Sequence, residues 1–442
     1  MLDSIALTKI QSLVLIAIMV VAAVGGTAAY VLWSASQPPM EDIRIGICGD
    51  LDMTVGKSTL KGATLAAEQI NNEGGILGRN ITIIGEDDDS ETPPGDIATA
   101  TNALTKLITI DNANYIISPQ AIWEQTYQDI CAEHKTIFIS VGSVSDSDTQ
   151  RVLDNYDKYK YFFRVWGTNV TSAVDGQSDS VRTLRNYTGF TKVAFIVEEF
   201  PFSKQFAEGV KQRLLSYGFD VVYYQTFPPL TADFTSYLSA IEASGAQILC
   251  PFAWTQSCFS LVTEYYERQS PFVLWGPIGL ASESKFWEQT EGKCESVSFV
   301  GLPIASGYPF TNEIVPTREA YIQRWGEVPD QWATATYDTV HFILPKAIER
   351  AGTTETEAII KALEKTDVET SMARRFVFTS SHDVMIGAAG PNIPSEDYML
   401  VCLFQWQNGT QVPVYPKQMM EEVGATYMHP PWQGPWSNNQ TP

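Results

Sequence analysis

The sequence predicts an α/β protein with two doubly wound parallel-sheet lobes. Short β-rich runs alternate with helical segments along most of the chain, and this alternation is typical of parallel sheets with helices on both faces. It occurs as two successive series, the second beginning after Phe163. The chain has 442 residues, which is too long for one ordinary core. Two series in a chain of this length indicate two sheets, one in each lobe.

The first series begins with a β-rich run at Arg44–Cys48, followed by a loop and an amphipathic segment. Gly74-Gly75 end that segment, as expected for the end of a helix. Its apolar face consists of Leu60, Ala63, Ala67 and Ile70. The unit then recurs, with strands predicted at Ile81–Gly85, Tyr115–Ser118 and Ile137–Val141 and helices at Ile97–Leu107 and up to Ile130.

The second series repeats the pattern. Lys204–Tyr217 has helical spacing of its apolar residues, and strands are predicted at Val193–Val197, Val221–Tyr224, Ile248–Pro251 and Phe272–Trp275. Ligands of open parallel sheets bind beyond the carboxyl ends of the strands. The loops that follow the strands of both lobes are therefore expected to line one shared cleft.

These loops contain aromatic and hydroxyl residues that are candidates for ligand binding. Trp123 lies in the first lobe, and Phe202 and Trp254 lie in the second. Aromatic walls bury a large area and attract cations over their faces, although each ring could instead pack under its loop as core. Ser143 and Ser145 could hydrogen-bond a polar group. Acidic residues in the same loops, which favour a cationic part, are Asp50, Asp52, Glu198 and Glu199.

The composition excludes several function classes. The formal charge of -22 argues against a nucleic-acid partner, because phosphate binding needs an excess of Lys and Arg. The six cysteines form no C-x-x-C pair and no cluster with metal-ligand spacing, so no metal or other cofactor is expected. Buried free thiols and disulfides both remain open for them.

No catalytic motif stands out, and we do not expect an enzyme. The four histidines are scattered, and no H-E-x-x-H or G-x-S-x-G motif is present. Gly56-Lys57-Ser58 resembles half of a phosphate loop, but Leu51 occupies the place of the earlier glycine. Acidic pairs could serve acid–base chemistry, but solvated loop carboxylates are the commoner explanation.

The N-terminal segment predicts a membrane anchor. Leu13–Trp33 is an uncharged, mostly apolar run of 21 residues, about the length that crosses a bilayer as a helix. A cleaved signal peptide is the alternative, although its apolar part is usually shorter. Lys9 and the amino terminus place the N-terminus inside and the remaining chain outside. N-x-[ST] sequons that would suit a glycoprotein outside the cell are at Asn80, Asn169, Asn186, Asn408 and Asn439.

Three stretches resemble one known family. The stretch AAEQINNEGGILGRNITIIGEDDDSETPP resembles the signature of branched-chain amino-acid-type solute-binding proteins, which have the class I periplasmic-binding-protein fold. The later stretches RWGEVPDQWATATYDTVHFILPKAIERAG and FQWQNGTQVPVYP are also similar to patterns of that family. The resemblance runs in order from about Ile43 to Pro416.

The resemblance implies two lobes joined by three hinge strands, with a discontinuous order of lobes. The crossings would lie near Phe163–Trp166, Gly301–Ala305 and Met372–Arg375. The implied division assigns residues 1–40 to the anchor or signal and its linker and 426–442 to a tail. Lobe 1 then comprises 41–163 and 305–372, and lobe 2 comprises 164–304 and 373–425.

The resemblance also implies ligand residues. The hydroxyl-rich family loops correspond to the loop of Trp123 and to Ser140–Ser145, which includes Gly142, Ser143 and Ser145. The family tyrosine corresponds to Phe202-Ser203, and the acid that holds the ligand ammonium group falls near Thr231 and Asp233. The amino-acid clamp is incomplete at these positions, so the ligand need not be an amino acid.

The function that follows is binding of a small molecule outside the cytoplasm, such as an amino acid, an amide or a related amine, and its delivery to the permease of an ABC importer. The alternative is a membrane-anchored receptor domain that senses a ligand. The short segment before the anchor disfavours direct signalling. An enzyme on the same scaffold is a third hypothesis, disfavoured by the absent motifs.

Overall fold

A computed structural model describes residues 41–89, 95–119, 122–387 and 397–433. Contacts group Ile43–Pro442 into one unit of the chain. The Leu13–Trp33 run and Asn439 lie outside the described residues, so the anchor stays a prediction. Within the described ranges, every helix is too short or too polar to cross a bilayer.

The first part of the chain builds a parallel sheet with the strand order β2-β1-β3-β4-β5. Its strands are β1 (Ile43–Gly49), β2 (Ile81–Asp87), β3 (Tyr115–Ser118), β4 (Ile137–Ser140) and β5 (Phe162–Arg164). The helices between them are α1 (Thr54–Asn72), α2 (Ile97–Thr109), α3 (Glu124–His134), α4 (Asp146–Asp154) and α5 (Tyr156–Tyr159).

The second part builds another parallel sheet, with the order β7-β6-β8-β9. Its strands are β6 (Lys192–Glu198), β7 (Asp220–Phe227), β8 (Ile248–Phe252) and β9 (Val273–Leu274). Its helices are α6 (Val170–Thr188), α7 (Pro201–Ser216), α8 (Thr235–Ala243), α9 (Ser257–Arg268) and α10 (Phe286–Gln289), with a 3-10 turn at Gly279–Ser282.

The last part alternates between the two halves. A short antiparallel sheet has the order β10-β15-β16. The strands of this part are β10 (Ser298–Gly301), β11 (Asp367–Val368), β12 (Phe376–Val377), β13 (Ile386–Gly387), β14 (Met399–Leu400), β15 (Cys402–Gln407) and β16 (Thr410–Tyr415). The helices are α11 (Pro303–Ser306), α12 (Ile314–Trp325), α13 (Gln331–Asp338), a π-helical turn Thr339–Ile343, α14 (Leu344–Ala351), α15 (Thr356–Leu363) and α16 (Lys417–Val423).

Each face of the first sheet has its own apolar core, as a doubly wound sheet requires. Ile45 and Ile117 contribute to the core that α1 covers, whereas Ile116 and Phe138 contribute to the core under α2 and α3. The first of these cores is completed by helices from the last part of the chain. Their buried residues include Ala333, Val340, Leu344, Ile348 and Ile360.

Close backbone packing joins α1 to α13. A Cβ atom added at Gly62 would lie 2.2 Å from the carbonyl oxygen of Ala333, so only glycine lets the two helices approach this closely. Lys61 and Glu327 form an ion pair beside this contact. Gly62, in the first helix, therefore packs directly against Ala333, far along the chain, and this contact closes the first core.

The second sheet is also covered on both faces. Phe195 and Cys250 point into the core under α6 and α7, and Ile196 and Leu249 point into the core under α8 and α9. The antiparallel sheet extends both cores, because Phe404 joins one of them and neighbouring residues such as Leu403 and Val414 join the other. The two doubly wound parallel sheets predicted from the sequence are therefore present.

Three segments pass between the two halves and lie side by side. They surround an apolar cavity of about 30 Å³, whose lining includes Trp166–Thr168, Val300–Leu302 and Leu400–Cys402. Trp166 belongs to the first-sheet core, and Phe299 belongs to the second. The lobe boundaries given above stay a prediction. For the third crossing, Met372 and Ala373 lie in the first-sheet core, and the chain changes cores between Met399 and Leu400.

All six cysteines lie in the described part of the chain, and each is buried with a free thiol. Of the two possibilities left open by the sequence, the structure has buried thiols. Cys48 and Cys131 pack between the first sheet and its helices, and the remaining four lie in or beside the cores of the second sheet.

Candidate ligand-binding site

The candidate loops of the second sheet are held together by one buried carboxylate. Glu198, the last residue of β6, is fully buried. It accepts hydrogen bonds from the backbone N–H of Trp254 at 2.6 Å and of Thr255 at 3.1 Å. It also accepts from the hydroxyls of Thr255 and Ser257, the latter at 3.0 Å. Glu198 therefore fixes the loop between β8 and α9, and these donors already satisfy its charge.

Three aromatic rings follow the ends of β6 and β8 as one cluster. The ring centres of Phe202 and Trp254 are 5.3 Å apart, and those of Phe200 and Phe202 are 5.8 Å apart. The Trp254 indole N–H donates to the Ser203 hydroxyl at 3.1 Å, which fixes the orientation of the ring. Phe202 remains 37% exposed. Sequence reasoning missed Phe200, which directly precedes the first turn of α7.

The helix α7 begins at Pro201, three residues before its predicted start, so Phe202 lies in its first turn. Proline suits this position, because its missing N–H would have no partner there and its φ is already helical. The ring is therefore carried by a helix rather than by a flexible loop.

Thr231 lies in the loop after β7, at the same end of the second sheet as this aromatic cluster. The N–H of Leu230 donates to the Thr255 hydroxyl oxygen at 3.1 Å, which ties the loop after β7 to the loop after β8. The hydroxyl of Thr231 itself donates to the Pro228 carbonyl at 2.6 Å. Asp233 accepts the N–H of Thr235 at 2.9 Å. The second sheet thus brings Phe202, Thr231 and Trp254 to one edge.

The first-sheet candidates follow β3 and β4. A Cβ atom at Gly142 would lie 1.7 Å from the carbonyl oxygen of Pro119, so glycine allows the two loops to touch. Ser143 is buried, and its hydroxyl donates to Asp148 at 2.5 Å. The Ser145 hydroxyl lies 2.8 Å from that of Ser147. Of the two serines, Ser145 is the more accessible to a ligand.

Trp123 is the N-cap residue of α3 and packs against the core under α2 and α3. Its indole N–H has no hydrogen-bond partner among the described residues. Gln120 and Ala121, which precede it in the same loop, lie outside those residues. The ring is half-buried, but its indole nitrogen is enclosed, so the accessible part of Trp123 is its apolar surface.

Glu124 is a buried acid that sequence reasoning did not single out. It is 1% exposed, and no hydrogen bond of ordinary geometry reaches either carboxyl oxygen among the described residues. Burial raises the pKa of the Glu124 carboxyl well above its usual range, and the Asp148 carboxylate raises it further. The Ser140 hydroxyl and Arg164 oppose the rise. Burial therefore favours the neutral form of Glu124, which lies close to Ser140 and Asp148.

Exposed apolar side chains lie at the same edge of both sheets. Met53 follows β1 and is 43% exposed, and Ile122 follows β3 and is 63% exposed. On the second sheet Leu230 follows β7 and is 67% exposed. Together with Phe202, these residues form what we term the apolar rim. The rim offers apolar surface to a ligand. Because these side chains are in contact with water, covering them with an apolar group is favourable.

Comparison with known proteins agrees with this architecture. The model of the family described as "Periplasmic binding protein" matches residues 43–389. The chain belongs to the periplasmic binding protein family. Membership gives it a solute-binding role and implies a location outside the cytoplasm. No cluster of His, Cys, Asp and Glu suitable for a metal ion occurs among the described residues.

Among curated relatives, Leu/Ile/Val-binding protein homolog 7 of Brucella abortus (strain 2308) is 22% identical over 87% of this chain and 94% of its own. The Streptococcus pneumoniae substrate-binding protein LivJ, solved with isoleucine, has a TM-score of 0.67, 20% identity and coverage of 84% and 97% of the two chains. A solute-binding protein of R. palustris, solved with benzoate, has a TM-score of 0.66, 15% identity and coverage of 84% and 95%. At these identities the two structures support the fold alone.

The seven predicted ligand residues fall into two groups, one for each parallel sheet. Phe202, Thr231 and Trp254 share the edge of the second sheet, and the remaining four share the edge of the first. The contacts described above hold each group within its own sheet. Their contact with a ligand stays a prediction.

We expect Glu124→Gln to stabilise the protein by about 1–3 kcal/mol at pH 8. A raised pKa means that the folded protein keeps a proton that the unfolded chain has lost, so this group's contribution to stability falls as the pH rises from the unfolded pKa through the folded one. Glutamine stays neutral, so the variant lacks this pH-dependent loss of stability. Denaturant unfolding from pH 5 to pH 8 measures the free energy of unfolding of both proteins.

Glu133→Gln is the matched control, because Glu133 is exposed on the same helix. It should follow the wild-type pH profile. Equal pH profiles for Glu124→Gln and the wild type would contradict a neutral Glu124.

Proposed function

We propose that this protein captures a small molecule with an apolar body, such as an amino acid, an amide or a related amine, in the cleft between the two sheets and delivers it to the permease of an ABC importer. The apolar rim is the observation that carries the proposal. Exposed apolar side chains at the carboxyl edges of both parallel sheets lie where ligands of such sheets bind.

The ligand chemistry follows from what the edges offer. The rings of Phe202 and Trp254 offer apolar area, and the half-buried Ser145 offers a hydroxyl for a polar contact. Glu198 was a candidate partner for a cationic group, but its four hydrogen bonds leave it little capacity to bind one. The polar end of the ligand is therefore assigned to the first sheet. Isoleucine and benzoate, which two structural relatives were solved with, both combine an apolar body with a carboxylate.

We also propose a lobe division with one change at the third crossing. The passage between cores at Met399 and Leu400 supports assigning residues 373–387 and 397–399 to the first lobe. The other two crossings stay as predicted from the sequence. Closure of the lobes would then rotate the second sheet about the three segments around the small apolar cavity.

A ligand screen tests the proposal. Thermal shift with amino acids, amides, amines and aromatic acids should identify a compound that stabilises the protein, because a ligand at 100 times its Kd adds about 2.7 kcal/mol to folding stability. Solution scattering with that compound should give a smaller radius of gyration. If no compound in these classes stabilises the protein, or if the radius is unchanged at saturation, the proposal is wrong.

Phe202→Ala and Trp254→Ala should each weaken binding of the identified ligand by about 1–3 kcal/mol without unfolding the protein, since each removes a ring that is not fully buried. Calorimetry measures the affinity. Phe342→Ala is the control, because Phe342 is half-buried against the first-sheet core and its ring contacts Tyr337 and His341 rather than a strand-end loop. Unchanged affinity in both site variants would mean that these rings are structural.

We further propose that the Leu13–Trp33 run is retained and anchors the protein to the cell membrane. Its length supports this assignment. Mass spectrometry of the protein from its native membrane should recover peptides from this run. A mature chain that begins near Ser36 or Gln37 would instead indicate cleavage.

A further inference from the structure

A buried ion pair lies where the chain first leaves the first sheet. Arg164 ends β5 and is fully buried. Its Nε and Nη2 atoms donate to the two carboxylate oxygens of Asp383 at 2.8 and 2.6 Å. Its Nη1 atom donates to the Ser145 carbonyl at 2.6 Å. One guanidinium therefore joins the strand, a distant segment and the loop that carries candidate ligand residues.

Asp383 also accepts a hydrogen bond from a residue that follows the first crossing. Asn169 is the N-cap residue of α6, the first helix of the second half, and its Oδ1 accepts the N–H of Ser172 at 2.8 Å. Its Nδ2 donates to Asp383 at 2.9 Å. Both ends of the Asn169 amide are thus in use, one inside α6 and one to the ion pair of the first half.

The Ser143–Asp146 loop, which carries candidate ligand residues, is hydrogen-bonded to the same end of α6. The N–H of Val170 donates to the Val144 carbonyl at 2.9 Å. The N–H and hydroxyl of Thr171 donate to the Asp146 carboxylate at 3.2 and 2.9 Å. The start of α6 belongs to the second half, since Ala173 packs in a core of the second sheet. These bonds therefore join the loop of one half to the first helix of the other.

Breaking this assembly is costly, because removing a partner from a buried ion pair leaves an uncompensated charge. During closure, contacts that stay intact must lie near the rotation axis, whereas the aromatic cluster on α7 and β8 can move further. The loop and the helix start are thus expected to keep their relative position while the aromatic cluster approaches.

We propose that Arg164, Asp383 and Asn169 are positioning residues that fix the Ser143–Asp146 loop against the start of α6, so that this point is the pivot of lobe closure and the loop is preset for the ligand. The proposal rests on the proposed function for its ligand, and on the hydrogen bonds above for the pivot.

Asn169→Asp tests the pivot without removing the helix cap, because aspartate is as good an N-cap residue as asparagine. It replaces the Nδ2 donor with a carboxylate facing Asp383. Hydrogen exchange without ligand should be faster in peptides that contain Val170 and Thr171. Ligand affinity should fall about ten-fold or more, which corresponds to the loss of one hydrogen bond to a charged group.

Asn155→Asp is the matched control, since Asn155 is an exposed N-cap residue of α5 whose side chain bonds to Lys158 within its own helix. Its replacement by aspartate makes the same change of charge. It should leave both exchange and affinity at wild-type values. Asn169→Ser is the conservative variant, because serine is also a good N-cap residue, adds no charge and keeps an O–H donor on the side of Asp383. Its exchange at Val170 and Thr171 and its ligand affinity should both lie closer to wild-type values than those of Asn169→Asp.

The outcomes separate the two proposals. If no ligand is found, the proposed function fails, and the exchange data still decide whether the pivot exists. If exchange at Val170 and Thr171 matches the Asn155→Asp control, the pivot is overturned. If exchange is faster but the affinity for an identified ligand is unchanged, or if Asn169→Ser loses as much affinity as Asn169→Asp, the positioning role is overturned while the proposed function stands.

Discussion

Each parallel sheet of this protein must be covered on both faces, and that requirement organises the rest of the chain. The helices α2 and α3 cover one face of the first sheet, but α1 alone does not cover the other. Helices from the last part of the chain complete that core, with residues such as Val340 and Ile348. The chain therefore leaves the first sheet, builds the second and returns. The crossings between the halves result from how the first core is completed.

Acids at the strand ends and crossings have different structural roles, which depend on the hydrogen-bond donors around each of them. Glu198 has four donors and serves to hold a loop. Asp383 has a guanidinium and an amide and joins distant segments. Glu124 has no well-formed donor, so burial raises its pKa and favours its neutral form. Residue type alone therefore does not predict which acid is available to a ligand.

The sequence contains enough local information for the fold but less for the site. Periodicity and strand-like runs predicted the parallel strands and their helices, because each pattern lies within one element. The bonds that decide the site join residues far apart, such as Arg164 and Asp383, and no spacing in the sequence indicates such a pair. The sequence favours Glu198 as a partner for a cation, because it does not indicate the loop donors that bind this carboxylate. The sequence predicts Phe202 in a loop, whereas α7 begins at Pro201 and includes it.

The enclosure of all six thiols makes the native protein unreactive toward thiol reagents, since a buried cysteine with a raised pKa presents little thiolate. A cysteine introduced at Ile122 or Leu230, on the exposed apolar rim, would then be the one thiol accessible for labelling. An environment-sensitive fluorophore attached there would report ligand capture directly as a change in emission. The same scaffold could in this way serve as a reagentless optical sensor, with no need to replace its natural cysteines.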